Sequence, residues 1–165
     1  MTKNIFRNGL YLLLTLTLNN SLFGQTENAD SLKKELIGTW DFVELHDKDN
    51  NKVDTIRHGQ GFEIPKGPLL TYRHDGTYSK QFTPKNTDNG KWYFDSDKIA
   101  IIHLLYYEKP YSFAAKYLID KGHAKQDKNG DYYEIITDKV VELTENKLIL
   151  LEREGRQRTF KKLNE

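Results

Sequence analysis

The stretch LIGTWDFVEL, from Leu36 to Leu45, is where the sequence first becomes strand-like. Gly38 and Trp40 stand two residues apart at the head of this run. Glycine lets a backbone pass close to a neighbouring strand, and tryptophan covers a large apolar area. We therefore predict that the first strand begins here, that both residues are structural, and that a short helix over residues 29–35 precedes them.

The rest of the chain repeats one pattern, in which short runs of Tyr, Phe, Ile, Val and Thr alternate with turn residues. Many short strands at this spacing are typical of a β-sandwich or a β-barrel. The length of 165 residues predicts one domain with one core. The turn sequences are Asp75-Gly76, Asn89-Gly90, Asp95-Ser96-Asp97, Asn129-Gly130, Glu145-Asn146 and Glu154-Gly155.

The hairpin around residues 74–76 can be given a register by placing its apolar residues on one face. A two-residue loop would send Tyr72 and Tyr78 to opposite faces. A three-residue loop with a left-handed glycine brings these tyrosines together with Leu70 and Phe82. We therefore predict the three-residue loop.

Two further hairpins are predicted in the same way. A loop at residues 145–146 pairs Leu143 with Leu148 and Val141 with Leu150. A loop at residues 96–97 gives the second hairpin one face that carries Trp92, Phe94, Ile99, Ile101, His103 and Leu105. The long connection over residues 47–67, which is rich in glycine and proline, is expected to be a loop or lid over one end.

The first residues have the build of a secretory signal peptide, with a basic start at Lys3 and Arg7, an apolar run over residues 10–18 and small residues up to Gly24. The apolar run is shorter than the about 20 residues that span a membrane. We expect residues 1–24 to be the signal peptide and residues 25–165 to be one domain without a membrane span. The expected location is the periplasm or the outside of the cell.

Composition excludes several classes of site. The chain has no cysteine, which excludes disulfides, zinc–thiolate sites, thiol catalysis and a lipid attached to cysteine. The 25 basic and 24 acidic residues are interspersed, so no nucleic-acid partner is expected.

Four segments, taken in order, resemble the lipocalin-like proteins that many bacteria secrete. They are Gly38-x-Trp40, DGTY at 75–78, NGKWYF at 89–94 and VVELTENKLILLE at 140–152. The similarity extends over residues 36–163.

The resemblance implies an all-β fold, an antiparallel up-and-down barrel of about eight strands that has no exposed sheet edge. It also implies that Trp40 closes one end and that an arginine late in the chain lies across this tryptophan. Arg158 is the first candidate for that arginine, and Arg156 is the second.

Residue spacing gives little support to a metal site or to catalysis. Of the five histidines, only His103 lies in a predicted apolar strand, and no two have the spacing of a helical or strand metal pair. Residues 47–54 alternate oxygen ligands as in a calcium loop, but the required glycine and glutamate are replaced by Lys52 and His58. No nucleophile elbow or phosphate loop is present. We expect no metal, no cofactor and no catalytic residues, hence no enzyme.

Aromatic residues make up 12% of the chain and are concentrated over residues 106–117. They either line the mouth of a pocket or fill the barrel interior. We predict non-catalytic binding of a small apolar or amphipathic molecule inside the barrel. The expected binding residues are Tyr72, Tyr78, Phe82, Trp92, Phe94, Ile101 and His103. The alternative is a packed barrel without ligand that contacts an envelope protein through its outer strands or through residues 47–67.

Overall fold

The computed structural model describes residues 30–59 and 61–163. The predicted signal peptide lies outside these residues. Residues 30–36 form helix α1, which agrees with the expected short helix. The strands and the second helix are β1 (Gly38–His46), β2 (Ile56–His58), β3 (Gly61–Glu63), β4 (Leu69–Tyr72), β5 (Thr77–Thr83), β6 (Asn86–Asp95), β7 (Ala100–Tyr106), α2 (Phe113–Asp120), β8 (Lys125–Gln126), β9 (Tyr132–Leu143), β10 (Lys147–Leu151) and β11 (Gln157–Leu163).

Eight of these strands form a closed antiparallel barrel, which confirms the predicted fold class. The order is β1, β4, β5, β6, β7, β9, β10 and β11, and β11 pairs back onto β1. Each barrel strand therefore pairs with the barrel strands before and after it in the chain. The small strands β2 and β3 form a separate hairpin within the connection from β1 to β4, and β8 extends one edge of β9.

Trp40 closes the end of the barrel at which β1 begins and β11 ends, which we call the closed end. Its side chain is fully buried, and its indole N–H donates to the carbonyl oxygen of Leu36 at 2.8 Å. Lys162 faces Trp40 across the β1–β11 pair, with its Nζ 5.0 Å from the indole centroid. The same amine donates to the carbonyl oxygen of Glu35 at 2.7 Å. Two carbonyls at the end of α1 are thus satisfied by the barrel.

The cation over Trp40 is therefore a lysine, whereas an arginine was expected there. Arg158 pairs with Leu45, farther along β1, and its guanidinium lies 5.5 Å from the ring centroid of Phe42. It also donates to the carbonyl oxygen of Gly67 at 2.7 Å. The strand register explains the difference, because residue 162 is the one directly opposite Trp40.

The predicted three-residue loop at residues 74–76 is confirmed, since Tyr72 pairs with Tyr78 and both are buried. Phe82 does not join them. A β-bulge falls between Gln81 and Thr83, and the Phe82 side chain is 44% exposed. An extra residue in a strand reverses the alternation of faces, so a pattern of strict alternation places Phe82 wrongly.

The other two hairpins differ from the prediction in their pairing: one has a bulge, and the register of the other is shifted by two residues. Leu148 pairs with Leu143 as predicted, but a bulge makes Leu150 pair with the buried Val140 and leaves Val141 exposed.

In the second hairpin the loop spans residues 96–99, two residues longer than predicted, and the exposed Ile99 lies within it with φ 49°. Phe94 pairs with Ile101 and Trp92 with His103, so these four share one face as expected.

Helix α2 was not anticipated, because its aromatic residues are typical of strands. Ser112 is its N-cap and accepts a hydrogen bond from the Ala115 backbone N–H at 3.1 Å. A serine three residues before an alanine-rich segment is a usable signal for such a helix.

Gly38→Ala is expected to destabilise the barrel by about 1–3 kcal/mol. Gly38 has φ 131°, and a Cβ there would lie 2.7 Å from Lys162 Cε, so the lysine would have to leave Trp40 and Glu35. Gly122→Ala is the matched control, because Gly122 also has positive φ but open space around it. Urea unfolding followed by tryptophan fluorescence measures both variants.

A double-mutant cycle tests whether the loss of stability comes from the contact with Lys162. In a Lys162→Ala background, Gly38→Ala is expected to cost less than it does in the original protein, because only the backbone cost of φ 131° remains. An equal cost of Gly38→Ala in both backgrounds would contradict the contact with Lys162.

Candidate functional site

A chain of polar side chains runs through the barrel interior. Tyr72 Oη lies 3.0 Å from His103 Nε2, and His103 Nδ1 lies 3.4 Å from Asp138 Oδ2. Lys80 Nζ lies 3.6 Å from the same Asp138 oxygen. Four strands, β4, β7, β9 and β5, each contribute one member. The chain links the deep core to the more open half of the interior, where Lys80 and Asp138 are 20% and 23% exposed.

Burial determines the protonation states of two of these side chains, His103 and Tyr72. Desolvation lowers the pKa of His103 to about 4, although the carboxylate of Asp138 acts in the opposite direction. Lys80 lowers the pKa of His103 further. Desolvation also raises the pKa of Tyr72 well above its usual value. Both rings are therefore neutral at neutral pH.

The tautomer of His103 follows from its neighbours. Nδ1 faces a carboxylate, which accepts but does not donate, so the Nδ1–H form is favoured. The Nδ1–Asp138 contact is within electrostatic range but is not aligned as a hydrogen bond. Nε2 is then an acceptor, and the Tyr72 hydroxyl donates to it.

Most of the predicted binding residues belong to the packed half of the interior. Tyr72, Tyr78, Trp92, Ile101 and His103 are all buried, and Phe94 packs against this cluster. The Tyr72 ring lies edge-on to Trp92 at 5.1 Å, and the Tyr78 ring lies 4.5 Å from His103. Phe82 lies apart from them at the other end. The structure thus brings six of the seven residues together, and they are in contact with each other.

Gly90 allows this packing. It pairs with Tyr78 on one side and with Leu105 on the other. A Cβ at residue 90 would lie 2.8 Å from Tyr78 Cε1 and would overlap the carbonyl oxygen of Leu104. A glycine is therefore required for β6 to approach β7 while Tyr78 fills the interior.

A cavity of about 410 Å³ opens at the other end of the barrel, which we call the open end. We call this cavity the mouth pocket. Leu105 shares the interior face with Gly90 and Tyr78, because the three pair across neighbouring strands. Asp88 lies two residues before Gly90, on the same face. The lining residues are Thr87, Asp88, Asn89, Leu105, Tyr106, Tyr107, Glu108, Pro110, Ser112 and Ala115.

The mouth pocket combines an apolar wall with acidic groups. Leu105, Ala115 and the ring of Tyr107 supply apolar surface, and Asp88 and Glu108 supply carboxylates. Its volume lies within the roughly 300–1,000 Å³ of small-molecule sites. None of its lining residues is basic. Helix α2 forms one side of it through its N-cap and its buried alanine.

Two other cavities are present. One of about 400 Å³ shares Tyr106 and Tyr107 with the mouth pocket and extends toward Asp127 and Asp131. Another of about 510 Å³ lies at the closed end, where Gly38, Tyr72 and Lys162 line it. Trp92, Ile101 and His103 line none of the three cavities.

Residues 30–59 and 61–163 contain no group of three or more His, Asp or Glu side chains placed to hold a metal ion. The calcium-like segment is a turn. The Asp47 carboxylate accepts hydrogen bonds from the backbone N–H groups of Asp49 and Asn51 at 2.9 and 2.8 Å. Within the same described ranges, no helix has the length and apolar character needed to cross a membrane.

Comparisons with known proteins concern the fold. No protein-family model matches the chain, and no curated protein is significantly similar to it. The structure is similar to that of a lipocalin-like protein from Bacteroides uniformis, with 18% identity and a TM-score of 0.47, over 78% of this chain and 99% of that one.

Two further solved structures are similar at the same level. One is an uncharacterised protein from Bacteroides eggerthii, with 19% identity, a TM-score of 0.45, and coverage of 78% of this chain and 99% of that chain. The other is a DUF4847 family protein from Bacteroides vulgatus, with 16% identity, a TM-score of 0.41, and coverage of 78% and 96%.

Several residues of the site were not predicted from the sequence. Lys80 and Asp138 were missed because charged residues in strands are normally assigned to the outer face. The signal available for Lys80 was its register, since it lies two residues from Tyr78 on the predicted inner face. Asp88 had the same signal relative to Gly90.

We expect unfolding free energy to fall as the pH is lowered from 6.5 to about 4. In this window the unfolded chain binds a proton at His103, whereas the folded protein with its lowered pKa does not. The contribution of His103 to stability is complete above pH 6.5, its pKa in the unfolded chain. It is lost as the pH falls to about 4, its pKa in the folded protein. The total loss is on the order of 3 kcal/mol.

Urea unfolding at several pH values between 5 and 6.5 measures this dependence. His103→Gln is expected to flatten it, and His123→Gln, at an exposed residue, is the control that keeps it. If unfolding free energy depended on pH in the same way in His103→Gln, the assignment of this dependence to His103 would be contradicted. The carboxyls with lowered pKa values titrate below the window; they are Asp47, Asp75, Asp95 and Asp127.

Proposed function

We propose that this protein is a non-catalytic binding protein whose ligand, a small amphipathic molecule, occupies the mouth pocket. The observation that supports this proposal is the position of the cavity beside the packed core. The core is filled by its own side chains, and a cavity of about 410 Å³ lies at the open end between β6, β7 and the segment that leads into α2. A ligand can enter this cavity without displacing the core.

The chemistry of the pocket narrows the ligand class. The apolar part of the ligand would lie against Leu105, Tyr107 and Ala115. Its polar part would lie near Asp88 and Glu108, which favour a hydrogen-bond donor or a cation over an anion. This site differs from the predicted one, because the ligand contacts the open end rather than the buried aromatic cluster.

The setting proposed for this function is the periplasm or the extracellular space. It is supported by the sequence pattern of residues 1–24. Fractionation of cells followed by mass measurement of the protein's N-terminus tests it. A protein found in the cytoplasm with residues 1–24 retained would contradict it.

A second candidate function is a contact with another protein through the outer wall of the barrel. On this outer face Tyr93 and Ile135 are 48% and 41% exposed, beside the half-buried Leu104 and the buried Ile102 of β7. Exposed apolar patches of this kind are typical of protein interfaces. Native mass spectrometry of protein purified from its source separates the two candidates, since it distinguishes a bound small molecule from a stoichiometric protein.

Ala115→Phe is expected to abolish small-molecule binding, because the larger side chain fills the mouth pocket that Ala115 lines. Ala114→Phe is the matched control on the exposed side of the same helix. Nile red fluorescence and native mass spectrometry measure binding in both variants, and thermal unfolding checks that both fold.

Binding that survives Ala115→Phe would contradict the mouth pocket as the site. A ligand that is lost equally in both variants would point to a general disturbance of α2 rather than to filling of the pocket.

A further inference from the structure

Five large apolar side chains at the open end remain in solvent. We call them the rim, and they are Phe62, Ile64, Phe82, Phe113 and Tyr117. Phe113 is 87% exposed and Phe62 is 74% exposed, the two highest values among the exposed large hydrophobic residues of the described chain. Exposure of this degree is costly in water unless something covers the side chains.

The barrel topology places the whole rim at one end. In an up-and-down barrel, the connections from β1 to β4, from β5 to β6 and from β7 to β9 all leave from the same end. Phe62 and Ile64 belong to the first connection, Phe82 to the end of β5, and the other two to α2. The rim therefore consists of separate tips on three segments that leave the barrel at the open end.

Helix α2 shows that the rim is not a by-product of packing. Its inner side carries Ala115, Leu118 and Ile119, which are buried or half-buried. Phe113 and Tyr117 are four residues apart and lie together on the opposite side, in solvent. A helix that only walled the pocket would have a polar outer side.

The charge around the rim favours a negatively charged partner. Residues 56–67, 82–86 and 112–121 together contain five basic and two acidic residues, which gives these segments a net charge of +3. The chain from residue 25 onward has 23 basic and 24 acidic residues. Residues 47–55, the first part of the connection that carries Phe62, add two basic and three acidic residues, so the positive charge lies beside the apolar tips themselves. The basic residues there are Arg57, Lys66, Lys85, Lys116 and Lys121.

We propose that the rim docks the open end of the barrel onto an anionic lipid surface. Aromatic and aliphatic tips interleaved with lysine are typical of segments that insert into the interface of a bilayer, where lysine contacts anionic headgroups. The dispersal of the tips over three segments suits a lipid surface, which has no fixed shape to match. A protein interface typically has a closely packed apolar core, which separate tips do not provide.

Co-sedimentation with vesicles tests this proposal. The purified protein is expected to sediment with vesicles of phosphatidylcholine mixed with phosphatidylglycerol, and less with pure phosphatidylcholine. Added salt is expected to weaken the binding. No binding to the anionic vesicles would overturn the proposal and leave the rim as a candidate protein contact.

Matched variants locate the contact. Phe62→Ser combined with Phe113→Ser is expected to weaken vesicle binding by roughly tenfold or more. Ile99→Ser combined with Leu163→Ser is the control, because these exposed apolar residues lie at the closed end. Residues 1–29 are the same in all variants, so a difference between the two pairs reports on the rim. Equal loss in both pairs would overturn the proposal.

The charge contribution is tested separately. Lys116→Glu combined with Lys121→Glu is expected to remove the preference for anionic vesicles, and a preference that persists would overturn the role of these lysines. Nile red binding of the rim variants in solution keeps this proposal distinct from the mouth pocket, since the rim residues do not line it.

Discussion

The barrel depends on the contact of Lys162 with Trp40 and with the end of α1. The first and last barrel strands are far apart in the chain, and the Lys162–Glu35 hydrogen bond joins residues 127 apart. Closing so long a loop has a large entropic cost, so the closed sheet needs favourable contacts at this seam. Gly38 supplies the space, Trp40 supplies the ring face, and the lysine amine satisfies a helix carbonyl. One side chain thereby joins β11, β1 and α1.

With one end closed in this way, the interior divides into two halves. The aromatic cluster near Trp40 excludes water and holds His103 neutral. Beyond His103 the interior faces become polar, and Lys80 and Asp138 form an ion pair that remains partly in contact with solvent. Lys80 also lies opposite Asp88 in the β5–β6 pair, and Asp88 lines the mouth pocket. The charged residues of the interior therefore extend from His103 toward this pocket.

The sequence predicts what local patterns determine. Turn residues and alternating apolar residues were sufficient for the pairing of Tyr72 with Tyr78 and for an all-β fold, whereas the eight-strand barrel was implied by the resemblance to lipocalin-like proteins. They were insufficient at Phe82 and Val141, because a β-bulge inserts a residue without a sequence signal. The cation over Trp40 could not be assigned, since it depends on the register of two strands at opposite ends of the chain. Residues 106–117 were predicted either to line a pocket mouth or to fill the interior, and Tyr106 and Tyr107 line the mouth pocket. The contribution of Asp88 to this pocket was missed, because α2 and β6 meet only in the folded barrel.

Helix α2 connects the two proposals made for the open end. Ala115 lines the mouth pocket, and Phe113 and Tyr117 on the other side of the same helix lie in solvent. A helix of eight residues has little stability of its own, so contacts on either side influence its position. Lipid that covered Phe113 and Tyr117 would hold the helix against the bilayer, with Ala115 facing the barrel. An amphipathic ligand would then pass between the membrane and the pocket without entering water. Exposure to water is the step with the highest free-energy cost for the apolar part of the ligand.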